Sequence, residues 1–111
     1  KAIGAYAVLD FNAVWCGPCK RLNAPMEQAA AEYKDKVAFY AVDFEKLPET
    51  AKAFEITDVP VVVMLTPDGT AVRYDHLAPF ISDEDLKDLS KEEAAQKIYE
   101  SICGYVNQMM Q

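Results

Sequence analysis

Two kinds of hydrophobic pattern follow each other along this chain. Apolar runs of strand length occupy residues 4–13 and 37–44, and two more lie within 61–75 on either side of a Pro-Asp-Gly turn. Helical spacing or helix-forming composition marks residues 19–33, 47–56, a short stretch after 82, and 91–110. The pattern therefore predicts four strands and several helices.

Local signals support the predicted helix boundaries. Pro18 suits the first turn of the first helix, whereas Pro25 lies inside that helix and should kink it by removing one hydrogen bond. Ser82 can cap the short helix. Ser90 with Glu93 forms a capping-box pattern at the start of the last helix.

The order of these elements predicts an α/β fold. A strand–helix–strand unit should place its two strands in parallel with a right-handed crossover, and the later hairpin adds antiparallel strands. We therefore expect a mixed four-stranded sheet with flanking helices. The run 61–65 has no polar alternation and should be buried on both faces. All 111 residues fit one domain, 1–111, with an extended C-terminal helix at about 91–110.

Composition and charge narrow the classes of function. The net charge of −7 argues against a nucleic-acid-binding protein, because such a protein needs a basic surface to bind the phosphate backbone. The longest apolar run, 59–65, is too short to cross a membrane. Three cysteines, an odd count, argue against a closed disulfide framework and favour a reducing compartment. We expect a cytoplasmic protein, with a periplasmic or secreted location as the alternative if a signal segment lies outside this sequence.

The chemistry of the chain centres on Cys16 and Cys19, which are separated by Gly-Pro. Cys16 lies just before a predicted helix, so the unpaired N–H groups and the helix dipole should favour its thiolate. Cys19 is one turn further and can close a disulfide with it. A zinc half-site is the first alternative, although only His76 and Cys103 could complete it. A catalytically silent pair is the second, and the βαβ context favours a redox dithiol.

Longer stretches around this pair resemble one family. The segment VLDFNAVWCGPCK, residues 8–20, closely resembles the active-site strand and helix start of the thioredoxin family. The segment DVPVVVMLTPDGTAV, residues 58–72, resembles its cis-proline strand and hairpin. The resemblance covers about residues 8–72 and implies a thioredoxin-like fold.

The resemblance also implies roles for three catalytic residues. Cys16 would attack a substrate disulfide, and Cys19 would resolve the mixed disulfide. Asp10 matches a buried carboxylate that assists proton transfer involving the second cysteine. On the residues alone, Asp10 could instead face solvent at a strand end.

Five further positions would bind the substrate. Trp15 flanks the dithiol, Gly17 lets a partner backbone approach, and Pro18 stiffens the loop. Pro60 matches the cis-proline, and the backbone around Val59 would pair with an extended substrate segment. From the residues alone, Trp15 could be part of the core and Pro60 an ordinary trans proline.

Several positions depart from the family pattern. Asn12 stands where a second Trp is common, and Ala41 stands where a lysine often accompanies the buried carboxylate. Pro25 comes one residue later than usual after the second cysteine. The segment YDHLAPF replaces a glycine usual after the hairpin. We expect His76 to be a solvated turn residue and Cys103 a small buried apolar one.

The predicted function is that of a thiol-disulfide oxidoreductase that reduces protein disulfides. Its expected partners are disulfide-containing protein substrates and an electron donor, either a thioredoxin-reductase type or a membrane donor, and we expect a monomer. The sulfurs carry the electrons, so no cofactor or metal is implied. The alternatives are an isomerase or oxidant in an exported compartment, and a thioredoxin-fold interaction module with a vestigial site.

Overall fold

Four strands and four helices follow one another in the computed structural model, which describes residues 5–111. In chain order they are β1 (Tyr6–Asn12), α1 (Gly17–Glu32), β2 (Val37–Asp43), α2 (Pro48–Ala53), β3 (Val61–Leu65), β4 (Ala71–Asp75), α3 (Asp83–Asp88) and α4 (Lys91–Met109). Every predicted element is present. Residue 4, the expected start of the first strand, lies outside the described residues.

The sheet has the predicted mixed topology. Its strand order is β2-β1-β3-β4, with β1 parallel to β2 and the other two neighbouring pairs antiparallel. All five residues of β3 are buried, which confirms the expectation from their continuous apolar run. The carboxyl end of the central strand β1 therefore lies next to the start of β3, and both lead toward the Cys pair.

Two hydrophobic cores cover the two faces of the sheet. On one face, α1 and α4 pack against alternate residues of β1 and β3, including Val8, Val62 and Met64. On the other face, α2 and the loops around it pack against the intervening residues, including Phe11 and Val63. Because side chains of a strand alternate between faces, neighbouring residues of β1 enter different cores.

Two helix boundaries differ from the sequence prediction by two residues or more. Helix α1 begins at Gly17 rather than 19, because Cys16 itself is the N-cap residue. Helix α2 ends at Ala53 rather than 56, because Glu55 adopts a left-handed conformation with φ of 57°. The Ile56 N–H then bonds to the Ala51 carbonyl at 2.8 Å, which closes a Schellman motif.

The C-terminal helices begin where their capping residues predict. Ser82 caps α3, accepting from the Asp85 N–H at 3.1 Å. Ser90 and Glu93 form the complete capping box of α4. Among residues 5–111, no helix combines the length and apolar character needed to cross a bilayer.

Candidate functional site

The Cys pair lies at the junction of β1 and α1. Cys16 and Cys19 form a disulfide, with their Cα atoms 5.3 Å apart. Cys16 is the N-cap of α1, and its Sγ accepts a hydrogen bond from the Cys19 N–H at 3.1 Å. This contact shows that one first-turn N–H group, that of Cys19, points at the Cys16 sulfur. The same donor and the helix dipole would stabilise a thiolate there once the disulfide is reduced.

Exposed residues flank the disulfide, although Cys16 and Cys19 themselves are buried. Cys16 and Cys19 are only 3% and 2% exposed in the disulfide form, so the two residues are buried alike. Trp15, in contrast, is 60% exposed, which excludes the alternative that it belongs to the core. Gly17 and Pro18 are also exposed. The disulfide therefore lies beneath a rim that a partner can contact.

The start of β3 forms the other side of the site. The Val59–Pro60 peptide bond is cis, as the resemblance implies. Val59 belongs to the same buried cluster as Cys16 and Cys19. The segment predicted to bind substrate and the dithiol are thus brought together.

Two residues beside the cis-proline were not identified as functional from the sequence. Asp58 Oδ1 accepts a hydrogen bond from the Val59 N–H at 2.9 Å, and Asp58 Oδ2 lies 3.6 Å from His76 Nε2. The His76 N–H donates to the Pro60 carbonyl at 2.8 Å. His76 is exposed, as expected of a turn residue, but its φ of 64° is uncommon for a residue with a side chain. In the sequence, the only sign of this arrangement is that the segment YDHLAPF, which contains His76, replaces the glycine usual after the hairpin.

Asp10 lies in β1 opposite Val62 of β3 and is 4% exposed, so the solvent-facing alternative is wrong. Its Oδ1 has no hydrogen-bond partner among residues 5–111. Burial raises the pKa of Asp10 from 3.8 to about 7, because desolvation disfavours the charged carboxylate. Ala41 pairs with Asp10 in the register of β1 and β2, so that neighbour supplies no compensating charge.

Asp10 borders a small pocket beneath α1. The pocket has a volume of about 180 Å³, and Asn23, Met26 and Glu27 contribute to its wall. A second pocket, of about 260 Å³, is lined by Cys19 and again by Asn23. Asn23 therefore lines both the pocket that Asp10 borders and the pocket that Cys19 borders. Its place four residues after Cys19, on the same helix face, was a signal that the sequence offered.

Among the described residues, His76 and Cys103 do not join the Cys pair in a metal-binding group. Within residues 5–111, no group of three or more His, Cys, Asp or Glu side chains could hold a metal ion. Cys103 is a free thiol on α4 and is half-buried rather than buried, which corrects the expectation for it. It lies on the helix that packs with α1, away from the disulfide cluster.

The sequence of this chain is similar to those of several thioredoxins. A family model described as Thioredoxin matches residues 3–92. A thioredoxin of Staphylococcus aureus strain Mu50 is 33% identical over 82 residues, covering 74% of this chain and 76% of that protein. A thioredoxin of Borreliella burgdorferi is 35% identical over 63 residues, covering 57% of this chain and 54% of that protein. In the latter comparison the match spans about half the length of the relative.

Solved structures agree with the fold. A chloroplastic thioredoxin z superposes with a TM-score of 0.60 and 26% identity, covering 86% of this chain and 80% of that one. The Drosophila melanogaster germline thioredoxin Deadhead gives a TM-score of 0.64 at 24% identity, covering 79% and 84%. The family match, the redox Cys pair and the cis-proline agree with one another. The chain therefore belongs to the thioredoxin family of thiol-disulfide oxidoreductases.

Proposed function

We propose that this protein reduces disulfide bonds of other proteins, with Cys16 as the nucleophile and Cys19 as the resolving residue. The hydrogen bond from the Cys19 N–H to Cys16 Sγ is the observation that carries this assignment. It places Cys16, rather than Cys19, where a helix N-terminus stabilises a negative charge on sulfur. The thiolate is the species that attacks disulfides.

In the first step, the reduced Cys16 thiolate attacks one sulfur of the substrate disulfide. The Cys16–substrate bond forms as the substrate S–S bond breaks, and the released substrate sulfur takes up a proton. In the second step, the Cys19 thiolate attacks Cys16 Sγ. The Cys16–Cys19 disulfide forms, the second substrate sulfur leaves and is protonated, and two electrons have moved to the substrate.

Asp10 is the proposed proton acceptor for Cys19 in the second step. A carboxyl with a pKa of about 7 is ionised in a large fraction of molecules at neutral pH, yet holds a proton well when it receives one. Its unpartnered Oδ1 leaves a lone pair free for that proton.

The substrate is proposed to lie across the cis-proline. The exposed Trp15, together with Gly17 and Pro18, would contact one side of an extended segment. Val59 main-chain groups at the cis peptide would pair with the other side. Main-chain pairing of this kind gives affinity without demanding one substrate sequence.

The disulfide left after each turnover requires a donor of two electrons. We propose a thioredoxin-reductase type of donor, with a membrane electron donor as the alternative, and a monomeric protein. The free thiol of Cys103 supports a cytoplasmic location over a periplasmic or secreted one, because thiols persist in reducing compartments.

Equilibration of the Cys16–Cys19 couple against a glutathione series tests this proposal. A reductant should show a potential near roughly −270 mV, as thioredoxin does. A potential between roughly −180 and −120 mV would instead indicate an isomerase or an oxidant. If Cys16 did not exchange with glutathione at all, the site would be vestigial and the chain an interaction module.

A further inference from the structure

We propose that Asp58 is a specificity-determining residue. It makes the substrate-binding surface at Val59–Pro60 favour disulfides that are flanked by a basic residue. The inference rests on the proposed function, in which Val59 main-chain groups pair with the substrate. Its basis is that one of those groups, the Val59 N–H, is already occupied by the Asp58 carboxylate. A substrate carbonyl and Asp58 therefore compete for the same donor.

The Asp58 side chain is held at both of its oxygens. Oδ1 accepts from the Val59 N–H at 2.9 Å, and Oδ2 lies at ion-pair distance, 3.6 Å, from His76 Nε2. Both side chains remain accessible, since 67% of the Asp58 side chain and 54% of the His76 side chain is exposed. The carboxylate is thus ordered at the cis-proline yet open to an incoming partner.

The backbone of His76 fixes its ring beside Asp58. Its N–H is bonded to the Pro60 carbonyl at 2.8 Å, and its φ of 64° lies in the left-handed region. Left-handed backbone in a residue other than glycine persists where surrounding contacts enforce it, and such positions cluster at functional sites. His76 and Asp58 therefore flank Val59–Pro60 from two different segments of the chain.

Substrate docking changes the bonding of Asp58. When a substrate carbonyl accepts the Val59 N–H, the Asp58 carboxylate loses that donor. A Lys or Arg side chain next to the substrate disulfide can replace the lost donor with a charge-assisted hydrogen bond. A neutral or acidic neighbour cannot. The chain's net charge of −7 also favours approach of a basic segment.

Two variants separate the hydrogen bond from the charge. Asp58→Ala removes both the acceptor and the charge, whereas Asp58→Asn keeps an acceptor for the Val59 N–H and removes only the charge. Asp58 is at the surface, with 67% of its side chain exposed, so neither variant threatens the fold. The substrates are two disulfide peptides that differ only in Lys or Ala beside the cystine, and dithiobis(nitrobenzoate), which has no peptide backbone.

The wild-type protein should reduce the Lys peptide with about twofold to fivefold higher kcat/KM than the Ala peptide, the range of an exposed ion pair. Both variants should lose this preference. Asp58→Ala should also lower KM for the Ala peptide by about threefold to tenfold, the value of one hydrogen bond, while Asp58→Asn leaves that KM near wild type. Rates with dithiobis(nitrobenzoate) should stay within about twofold for all three proteins.

Either of two results would overturn the inference. One is an Asp58→Ala protein that still prefers the Lys peptide, and the other is one whose KM for the Ala peptide is unchanged or higher. The nitrogen-15 spectrum gives a readout independent of turnover, because the Val59 amide resonance should shift in Asp58→Ala and much less in Asp58→Asn. If wild-type protein fails to reduce dithiobis(nitrobenzoate) through Cys16, the proposed function fails instead.

Discussion

Replacing Asp10 with asparagine should stabilise this protein at neutral pH and slow its reaction. The substitution keeps the shape of the carboxyl group but removes its charge. In the native protein the carboxyl is 4% exposed, and its Oδ1 has no hydrogen-bond partner. An ionised group in that position lacks the donors that would compensate for lost hydration.

The size of the effect follows from the pKa of Asp10, which burial raises from 3.8 to about 7. That difference corresponds to about 4 kcal/mol between the two protonation states. Between those two pH values the native state holds a proton that the unfolded state has lost. The contribution of Asp10 is therefore fully present below pH 4 and is lost as pH rises through 7.

Urea denaturation of the disulfide form between pH 4 and 8 measures this contribution directly. Asp10→Asn should match the wild type near pH 4 and exceed its free energy of unfolding by about 4 kcal/mol at pH 8. The exposed Asp35 provides a matched control, because Asp35→Asn also removes one carboxylate but should leave the pH dependence in place.

The same variant tests the proton-transfer role. Asparagine cannot accept the Cys19 proton, so resolution of the mixed disulfide should slow by about a hundredfold at pH 7. If Asp10→Asn left the pH dependence of stability unchanged, Asp10 would not titrate as its burial requires. A lowered melting temperature with an unchanged reduction rate would make Asp10 a structural residue.

Three further predictions concern Cys16, Ala41 and Glu55. In the reduced protein, alkylation at mildly acidic pH should label Cys16 before Cys19, because the helix N-terminus favours its thiolate; equal labelling would contradict the assignment. Ala41→Lys, across the strand pair from Asp10, should lower the pKa of the Asp10 carboxyl below about 7 and so weaken the pH dependence of stability. The same denaturation series would show this, and an unchanged pH dependence would mean that the lysine ammonium does not reach the carboxyl. Glu55→Gly should raise the melting temperature by about 3–5 °C, because glycine adopts the left-handed position of the Schellman motif without strain, and a lowered melting temperature would refute this account.

The strands and the starts of α3 and α4 could be predicted because their signals are local. The continuous apolar run of β3, and the capping residues Ser82 and Ser90, determine structure through neighbours a few residues away. The end of α2 was placed too late, since no glycine marks it. There the chain accepts a left-handed Glu55, and Arg73 from β4 donates to the Phe54 and Glu55 carbonyls at 3.2 and 3.3 Å.

The site was predictable in part. The positions of Cys16 and Cys19 on a strand–helix junction follow from the pattern, whereas the burial of Asp10 and the cis bond before Pro60 came from the resemblance. The pairing of Asp58 with His76 depends on two segments that meet only when β3 and β4 pair. No local pattern contains that contact.

The pocket beneath α1 could not be predicted from a local sequence pattern either. Asp10 and Asn23 both line this pocket because α1 packs on β1. The two residues belong to different elements, so neither the strand nor the helix periodicity relates their positions. Helix α1 is continuous from Gly17 to Glu32, with Pro25 inside it. The kink expected at Pro25 stays a prediction.

Trapping of the mixed disulfide tests whether Cys16 is the attacking sulfur and Cys19 the resolving sulfur, because one experiment identifies both. The reduced Cys19→Ser protein should form a stable covalent complex with a disulfide-containing protein such as insulin, and peptide mapping should locate the bond at Cys16. The Cys16→Ser protein should form none. A complex linked through Cys103, or equal trapping by both variants, would contradict the proposed mechanism.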